Sequence, residues 1–275
     1  MRAPSLRARL GPVRGRSRSA VFLGYHSISD DGPPFLSIAR EMLERHLDVL
    51  GRSGWRAGTL DDLRGLSARL SRGQRTAFLT FDDGYVDNHA EALPRMSARG
   101  FTGFAFVLPG HVDGGAPLRW KEVAGEAEGH PEVMRSMTWS MVEELAQAGW
   151  EIGSHTLTHP RLSALSDERL AQELLDSRRR VSDRLGRCAV LAYPFGDWDD
   201  RVAAAAAAAG YEFAFSLPYG SQVRASRMSL PRVTIDHRDD EARFERKLTP
   251  AGRALLFSPL RPAVRRLTGR RPHDA

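Results

Sequence analysis

The segment Phe78-Leu79-Thr80-Phe81-Asp82-Asp83-Gly84 ends an apolar run on two adjacent carboxylates. Like charges side by side oppose each other's ionisation, so a site that keeps both needs a positive partner. A metal cation supplies one most directly, because one carboxylate binds the ion while the other stays free as a base for the water that the ion polarises. Such an ion asks for further ligands. His155-Thr156-Leu157-Thr158-His159 offers two imidazoles at i, i+4, a spacing from which a helix or a compact turn brings both to one ion. Two histidines and one aspartate leave coordination positions open, which means catalysis rather than a closed structural centre. Each motif alone is weak, since surface helices carry HxxxH pairs and Asp also caps helices. Their joint occurrence, each directly after an expected strand, carries the reading. On this pattern Asp83 joins His155 and His159 on the metal and Asp82 is the base, and the reversed assignment of the two aspartates stays open.

The apolar periodicity supplies the elements that must position these residues. Strands are expected over 21–28, near Trp55, and over 76–81, 101–108, 150–154, 188–193, 211–216 and 229–235. Helical spacing falls between them, over 38–50, 61–70, 88–99, from Met141 with Ser140 and Glu143 as a capping box, over 167–186, and in the alanine run 203–209 that Gly210 stops. Residues 110–137, rich in Gly and Glu, read as an insertion over one end of the domain. The alternation predicts an α/β fold with a mainly parallel sheet, and seven or eight strands favour a barrel over an open sheet. Functional residues of such folds gather where strands end. Here His26 ends the first strand, Asp82 and Asp83 the third, and His155 and His159 follow the fifth. Tyr193-Pro194-Phe195-Gly196 ends the next, and Arg232 and His237 lie in the last.

With 275 residues, 41% of them apolar, the chain suits one large domain with a substantial core. The single cysteine, Cys188, excludes an internal disulfide. The formal charge of +6 belongs to the ends: residues 1–20 carry six Arg and no acid, and residues 243–275 carry nine basic and two acidic residues, which leaves −7 between them. The expected organisation is a basic tail over 1–20, the barrel domain over 21–242, and a basic, partly helical tail over 243–275. Such tails suit solvated ends, an acidic partner or an anionic membrane surface. Leu260, Val264 and Leu267 on one helical face beside Arg261, Arg265 and Arg266 suit the membrane surface, although Pro259 and Pro262 interrupt that helix. Nucleic acid is not an expected partner. Val21-Phe22-Leu23 is too short for the apolar core of a secretion signal, and no segment approaches a membrane span, so a cytoplasmic location is expected, with membrane-surface association as the alternative.

Thr80-Phe81-Asp82-Asp83-Gly84 followed, roughly seventy residues on, by Ser154-His155-Thr156-Leu157-Thr158-His159-Pro160 resembles the polysaccharide deacetylases of carbohydrate esterase family 4. The resemblance covers about residues 20–237. It implies a distorted (β/α) barrel of about seven parallel strands in a single domain, Zn²⁺ or a similar divalent ion such as Co²⁺ or Ni²⁺, and hydrolysis of the N-acetyl group of N-acetylhexosamine units. Carried over by position, Asp82 is the base, while Asp83, His155 and His159 hold the metal. Ala192-Tyr193-Pro194-Phe195-Gly196 matches the proline motif of the family, in which the Phe195 N–H donates to the oxyanion, with Tyr193 and Pro194 beside it on the substrate side.

Two features depart from the usual family pattern. An Arg that orients the catalytic Asp usually stands where this chain has Ala192, and Leu230-Pro231-Arg232 resembles the element of a subgroup that supplies it from the last strand. Gly24-Tyr25-His26-Ser27-Ile28 resembles the N-terminal Tyr-His motif of the circularly permuted, poly-N-acetylglucosamine deacetylase-like members. That makes His26 the general acid in preference to His237 of Ile235-Asp236-His237. Trp139 and Trp150 are expected to pack, and Trp198 and Tyr219 lie on loops that should face the site. Two other readings stay open: a C–N hydrolase of a small non-sugar amide, and a glycan-binding protein with little turnover.

Overall fold

Eleven strands are found in the computed structural model, which describes residues 20–65, 74–217 and 226–257. They are β1 (Ala20–Tyr25), β2 (Ser27–Ile28), β3 (Ser37–Ile38), β4 (Trp55–Ala57), β5 (Arg75–Phe81), β6 (Phe104–Val107), β7 (Glu151–Ser154), β8 (Val190–Ala192), β9 (Phe213–Ser216), β10 (Leu230–Pro231) and β11 (Val233–Thr234). Apart from the small β2–β3 pair they form one all-parallel sheet in the order β10-β9-β8-β7-β6-β5-β1-β11, with β4 on the lower half of β5. β10 and β11 are halves of one stave. The first half pairs with β9 and the second with β1, so a single strand joins the two edges of the sheet and closes the barrel. The Arg232 N–H donates to the Ser216 carbonyl (3.0 Å) and the Ile235 N–H to the Gly24 carbonyl (2.8 Å), which places the change of partner at Arg232. Counted as staves the barrel has the expected seven; the eighth strand on the path arises from this split.

Strand periodicity of two divides the apolar residues between two cores. Phe22 of β1, Phe78 of β5, Phe104 and Phe106 of β6, Phe213 and Phe215 of β9 and Leu230 of β10 pack together inside the barrel, with Leu60 and Leu63 joining them. Their neighbours in sequence, including Val21, Leu23, Leu79, Phe81, Leu191 and Val233, belong to the larger core under the helices. Burying each such Phe or Leu contributes about 1.5–3 kcal/mol. Close approach makes Gly153 of β7 obligatory, since a Cβ there would stand 2.6 Å from Val190 and 2.7 Å from Phe106.

The helices are α1 (Arg40–Arg52), α2 (Leu60–Arg64), α3 (Leu93–Ser97), α4 (Ala124–Gly129), α5 (Trp139–Gln147), α6 (Asp167–Leu185), α7 (Asp200–Ala208), α8 (Glu241–Leu248) and α9 (Pro250–Leu256). Two expectations are corrected. The cap of α5 is Thr138, whose hydroxyl accepts from the Met141 N–H at 3.3 Å, and Ser140 lies inside the helix, where it reaches Glu144. The helix expected over 88–99 begins as a π-type turn at Asn88–Ala92, because Pro94 has no N–H to continue an α-helical ladder. Helix α8 runs across position 242, where the barrel domain is expected to give way to the partly helical C-terminal tail. Phe244 and Leu248 of that helix are buried, and Phe244 stacks on His46 of α1 at 3.9 Å, so the packed unit continues through the described residues to 257.

Residues 110–137 form the expected insertion, with α4 inside it. They build a small core of Leu118, Val123, Ala127 and Met134 against Tyr85 and Leu108. The Leu260–Leu267 face and Tyr219 lie outside the described residues. Among the described residues no helix is long and apolar enough to cross a membrane.

Candidate active site

Asp82 continues the inward series Phe78, Thr80 of β5, and Arg232 continues the inward Leu230 of the closing stave. The two meet inside the barrel. Arg232 Nη1 donates to Asp82 Oδ1 and Nη2 to Asp82 Oδ2, both at 2.6 Å, and Nη1 also donates to the Thr80 hydroxyl at 2.9 Å. The guanidinium lies over the Phe106 and Phe215 rings at 5.7 and 6.0 Å, in the aromatic cluster that also holds Ala192. Burial alone would raise the Asp82 carboxyl, but Arg232, and after it His155, outweigh burial and hold it well below the usual carboxylate range.

Asp83 leaves the strand with φ +70° and Gly84 follows at +71°, a left-handed pair that swings the Asp83 carboxylate away from Arg232. Asp83 Oδ1 lies 3.4 Å from both His155 Nε2 and His159 Nε2. That oxygen is buried and has no hydrogen-bond partner among the described residues. Burial first, and next the charge of Asp82, push the Asp83 carboxyl up to about 8.

The histidines sit on a compact turn, not a helix. Thr156 and His159 take φ +71° and +66°, the Thr156 N–H donates to the Ser154 hydroxyl (2.9 Å), and the His159 N–H to the Thr156 hydroxyl (3.1 Å). His155 Nδ1 lies 2.9 Å from the Ala192 carbonyl; a carbonyl only accepts, so Nδ1 carries the proton and Nε2 presents its lone pair toward Asp83. Burial lowers His155 to about 4, and Asp82 offsets this only in part. Burial and then His155 take His159 well below its ordinary value, so both rings are neutral at pH 7. The His159 ring stacks on Trp120 at 3.9 Å and meets the edge of Phe195 at 4.6 Å.

A divalent cation suits this donor set. Asp83, His155 and His159 each offer one atom within 4.8 Å of the others, two of them neutral nitrogens and the third a buried, unpaired carboxylate oxygen that needs positive charge to ionise. Among the described residues five non-glycine positions have positive φ, and four of them, Asp83, Thr156, His159 and Phe195, are in this site. Such conformations cost of order 1–3 kcal/mol each and persist where the surroundings over-determine them.

Phe195 has φ +59° in the turn after β8, and the Arg161 guanidinium covers its ring at 4.1 Å. Pro194 is buried. Tyr193 is buried as well; its N–H donates to the Phe215 carbonyl (3.0 Å) and its hydroxyl to the Met228 carbonyl (2.9 Å), so both its donors are spent on the barrel. His26 follows β1 directly. Asn88 donates to its carbonyl at 2.7 Å, and its Nε2 lies 3.9 Å from Asp82 Oδ2. Burial lowers His26 from its ordinary value, against the pull of Asp82. His237 is exposed, with Nδ1 2.5 Å from the Pro34 carbonyl, and forms no ion pair with Asp82. Trp150 is buried against Phe81, Trp139 packs on the core, and Trp198 stacks on Tyr193 at 6.2 Å. Sequence reasoning passed over Trp120, whose signal was a large aromatic in an otherwise Gly- and Glu-rich insertion.

Residues 69–214, more than half of the chain, match the polysaccharide deacetylase family. The chain is 26% identical over 216 residues to the protein YxkH of Bacillus subtilis (strain 168), covering 78% of this chain and 70% of that one. It is 28% identical over 153 residues to a chitooligosaccharide deacetylase of Sinorhizobium fredii (strain NBRC 101917 / NGR234), covering 55% and 60%. The fold is similar to that of the Streptococcus pyogenes deacetylase PplD, solved in complex with acetate, with a TM-score of 0.71 and 22% identity over 87% of this chain and 100% of that one. It is also similar to IcaB from Ammonifex degensii, with a TM-score of 0.67 and 20% identity over 84% and 97%. The match runs from before β5 into β9 and contains both the aspartate pair and the histidine turn: the chain belongs to the polysaccharide deacetylase family.

Proposed function

We propose that the protein hydrolyses the N-acetyl group of an N-acetylated amino sugar in an oligosaccharide, polysaccharide or glycolipid precursor, releasing acetate and a free amine. The observation that carries this reading is the division of the aspartate pair: one carboxylate is kept ionised by Arg232, and its neighbour is left unpaired against two neutral imidazoles. Asp83, His155 and His159 would hold the ion, and two nitrogens with one oxygen suit Zn²⁺, with Co²⁺ or Ni²⁺ as replacements. A divalent ion bound there supplies Lewis-acid polarisation and makes water a nucleophile near neutral pH.

The remaining chemistry belongs to the side chains. Asp82 is the base that takes a proton from the attacking water, and Arg232 keeps it ionised and aimed by a two-point bond. The Phe195 N–H, held by the left-handed turn after Pro194, donates to the oxygen that gains charge as the acetyl carbon becomes tetrahedral. His26, whose Nε2 lies 3.9 Å from Asp82 Oδ2, takes over the proton that Asp82 removed from the water and gives it to the leaving nitrogen when the C–N bond breaks, so that both side chains return to their starting state. Tyr193 and Pro194 act through packing that sets the Phe195 backbone. The name of the Sinorhizobium relative supports an N-acetylated oligosaccharide as the substrate class.

The test is acetate release from a panel of N-acetylglucosamine oligomers, with small non-sugar acetamides in parallel, after loading with Zn²⁺, Co²⁺ or Ni²⁺. Metal-dependent release from at least one sugar is expected. Release confined to the non-sugar amides would move the assignment to a small-amide hydrolase, and no release from either would leave glycan binding as the better reading.

A further inference from the structure

Helix α6 faces the barrel with Leu170, Glu173, Leu174, Ser177 and Val181, a helical stripe in which one position is a carboxylate. Glu173 is 1% exposed. Burying an ionised carboxylate costs several kcal/mol unless hydrogen bonds compensate it, so its partners are informative. Its Oε2 accepts from the Leu157 N–H (2.9 Å) and the Thr158 N–H (3.0 Å), and its Oε1 from the Thr158 hydroxyl (2.7 Å). All three donors lie between His155 and His159. From the opposite side the Gly110 N–H donates to the Leu157 carbonyl at 3.1 Å, at a contact so close that a Cβ on Gly110 would stand 2.4 Å from that oxygen. The strained histidine turn is therefore gripped on both sides.

The two imidazoles are aimed by different means. His155 is oriented through its ring, Nδ1 on the Ala192 carbonyl. His159 has no such bond, since its Nδ1 is buried without a hydrogen-bond partner among the described residues. Its direction comes from the turn backbone and from the Trp120 and Phe195 rings beside it. We infer that Glu173 is a positioning residue for the metal centre, which fixes the 155–159 turn in the shape that points His159 Nε2 at the site. It does for His159 through the main chain what the Ala192 carbonyl does for His155 through the ring. Helix α6 has its own cap in Ser166, which accepts from the Arg169 N–H, so Glu173 is not needed to start the helix. The inference rests on the reading that Asp83, His155 and His159 hold a divalent ion.

Glu173→Gln keeps the size but removes the charge and exchanges one acceptor oxygen for an N–H₂, which weakens the charge-assisted bonds to the two backbone N–H groups and reverses or removes the one to the Thr158 hydroxyl. The test compares Co²⁺ and Zn²⁺ dissociation constants by chelator competition, together with the visible absorption of the Co²⁺ form. For Glu173→Gln a weakening of about 10–100-fold, the usual cost of losing an outer-shell partner, is expected with an altered Co²⁺ spectrum. Thr158→Val, which removes only the hydroxyl bond, should give a smaller loss in the same direction and decides the matter if Glu173→Gln does not fold. Ser166→Ala destabilises α6 from its cap and should leave both readouts at the wild-type value. Wild-type affinity and spectrum in folded Glu173→Gln or Thr158→Val would overturn the inference even if the melting temperature falls. A folded wild-type protein that binds neither ion would overturn the metal reading itself, and the inference with it.

Discussion

Asp82 and Asp83 are joined by one peptide bond and are equally buried, each 2% exposed, yet they occupy opposite electrostatic worlds. Asp82 points into the barrel, where the closing stave delivers Arg232, and its carboxyl stays well below the usual range although burial would raise it. Asp83, turned by its positive φ toward the mouth, meets two imidazoles that burial keeps neutral, and its carboxyl rises to about 8. Burial is common to both and cannot explain the difference. What separates them is that the chain supplies a cation to one, whereas the other has two imidazole lone pairs and the Tyr85 hydroxyl but no cation, an arrangement that suits a cation from solution.

Exchanging the two carboxylates tests this contrast with the largest effect. Asp82→Asn should lower kcat by about 10²–10⁴-fold, the usual worth of a general base, while metal content measured on the purified protein stays near wild type. Asp83→Asn should release the ion, and activity should fall with it. If both variants lose metal alike, the division between the two aspartates is broken.

The next effect concerns the pairing that makes Asp82 different. Arg232→Met leaves a buried carboxylate without its partner and should cost about 3–5 kcal/mol in urea unfolding. Adding Asp82→Asn should recover part of that loss, because the uncompensated charge is gone. Simple additivity of the two substitutions would show that the pair does not act as a unit.

The smallest effect sharpens the other half of the comparison. In chelator-treated protein the folded state holds a proton on Asp83 up to about pH 8, whereas the unfolded chain loses it near the ordinary value of about 4. The contribution of Asp83 to stability is thus greatest below about pH 4 and falls as the pH rises to about 8. Relative to wild type, metal-free Asp83→Asn should therefore gain stability steadily across that window, by at most about 1.4 kcal/mol per pH unit. For Asp82 the sign is reversed: its depressed value gives stability that is present above the ordinary carboxylate pKa and lost as the pH falls below it. Melting temperatures taken across the pH range check both, and parallel curves for wild type and Asp83→Asn would erase the distinction.

Much of this site could be read from the linear chain, for a local reason. The strand ends that carry the candidate ligands follow from the apolar patterning, and its period of two also predicts that Thr80 and Asp82 face the same way as Phe78, and Arg232 the same way as Leu230. Which aspartate meets Arg232 did not follow from the residues themselves, because both stand at the same strand end and only the backbone turn at Asp83 separates them. The capping box assigned to Ser140 failed because Thr138, two residues earlier, offers the same hydroxyl with the backbone geometry of a cap. Glu173 carried a visible signal, an acid inside an apolar helical stripe. Its meaning depended on which loop that stripe meets.

The sequence by itself determined the alternation of strands and helices, the inward and outward faces of each strand, and the set of side chains able to do chemistry at the strand ends. These are properties of neighbours a few residues apart, set by backbone geometry and by the withdrawal of apolar groups from water. Only the tertiary structure decided which cation meets which carboxylate. Arg232 stands 150 residues from Asp82 and reaches it because one strand switches partners at that residue to close the barrel. Another pairing distinguishes His26 from His237: both follow strands, but β1 lies beside β5 and carries His26 to Asp82, whereas His237, past the closing stave, stands in solvent against Pro34. Contacts of that range depend on how far the sheet curls before its edges meet, and no short stretch of the chain records it.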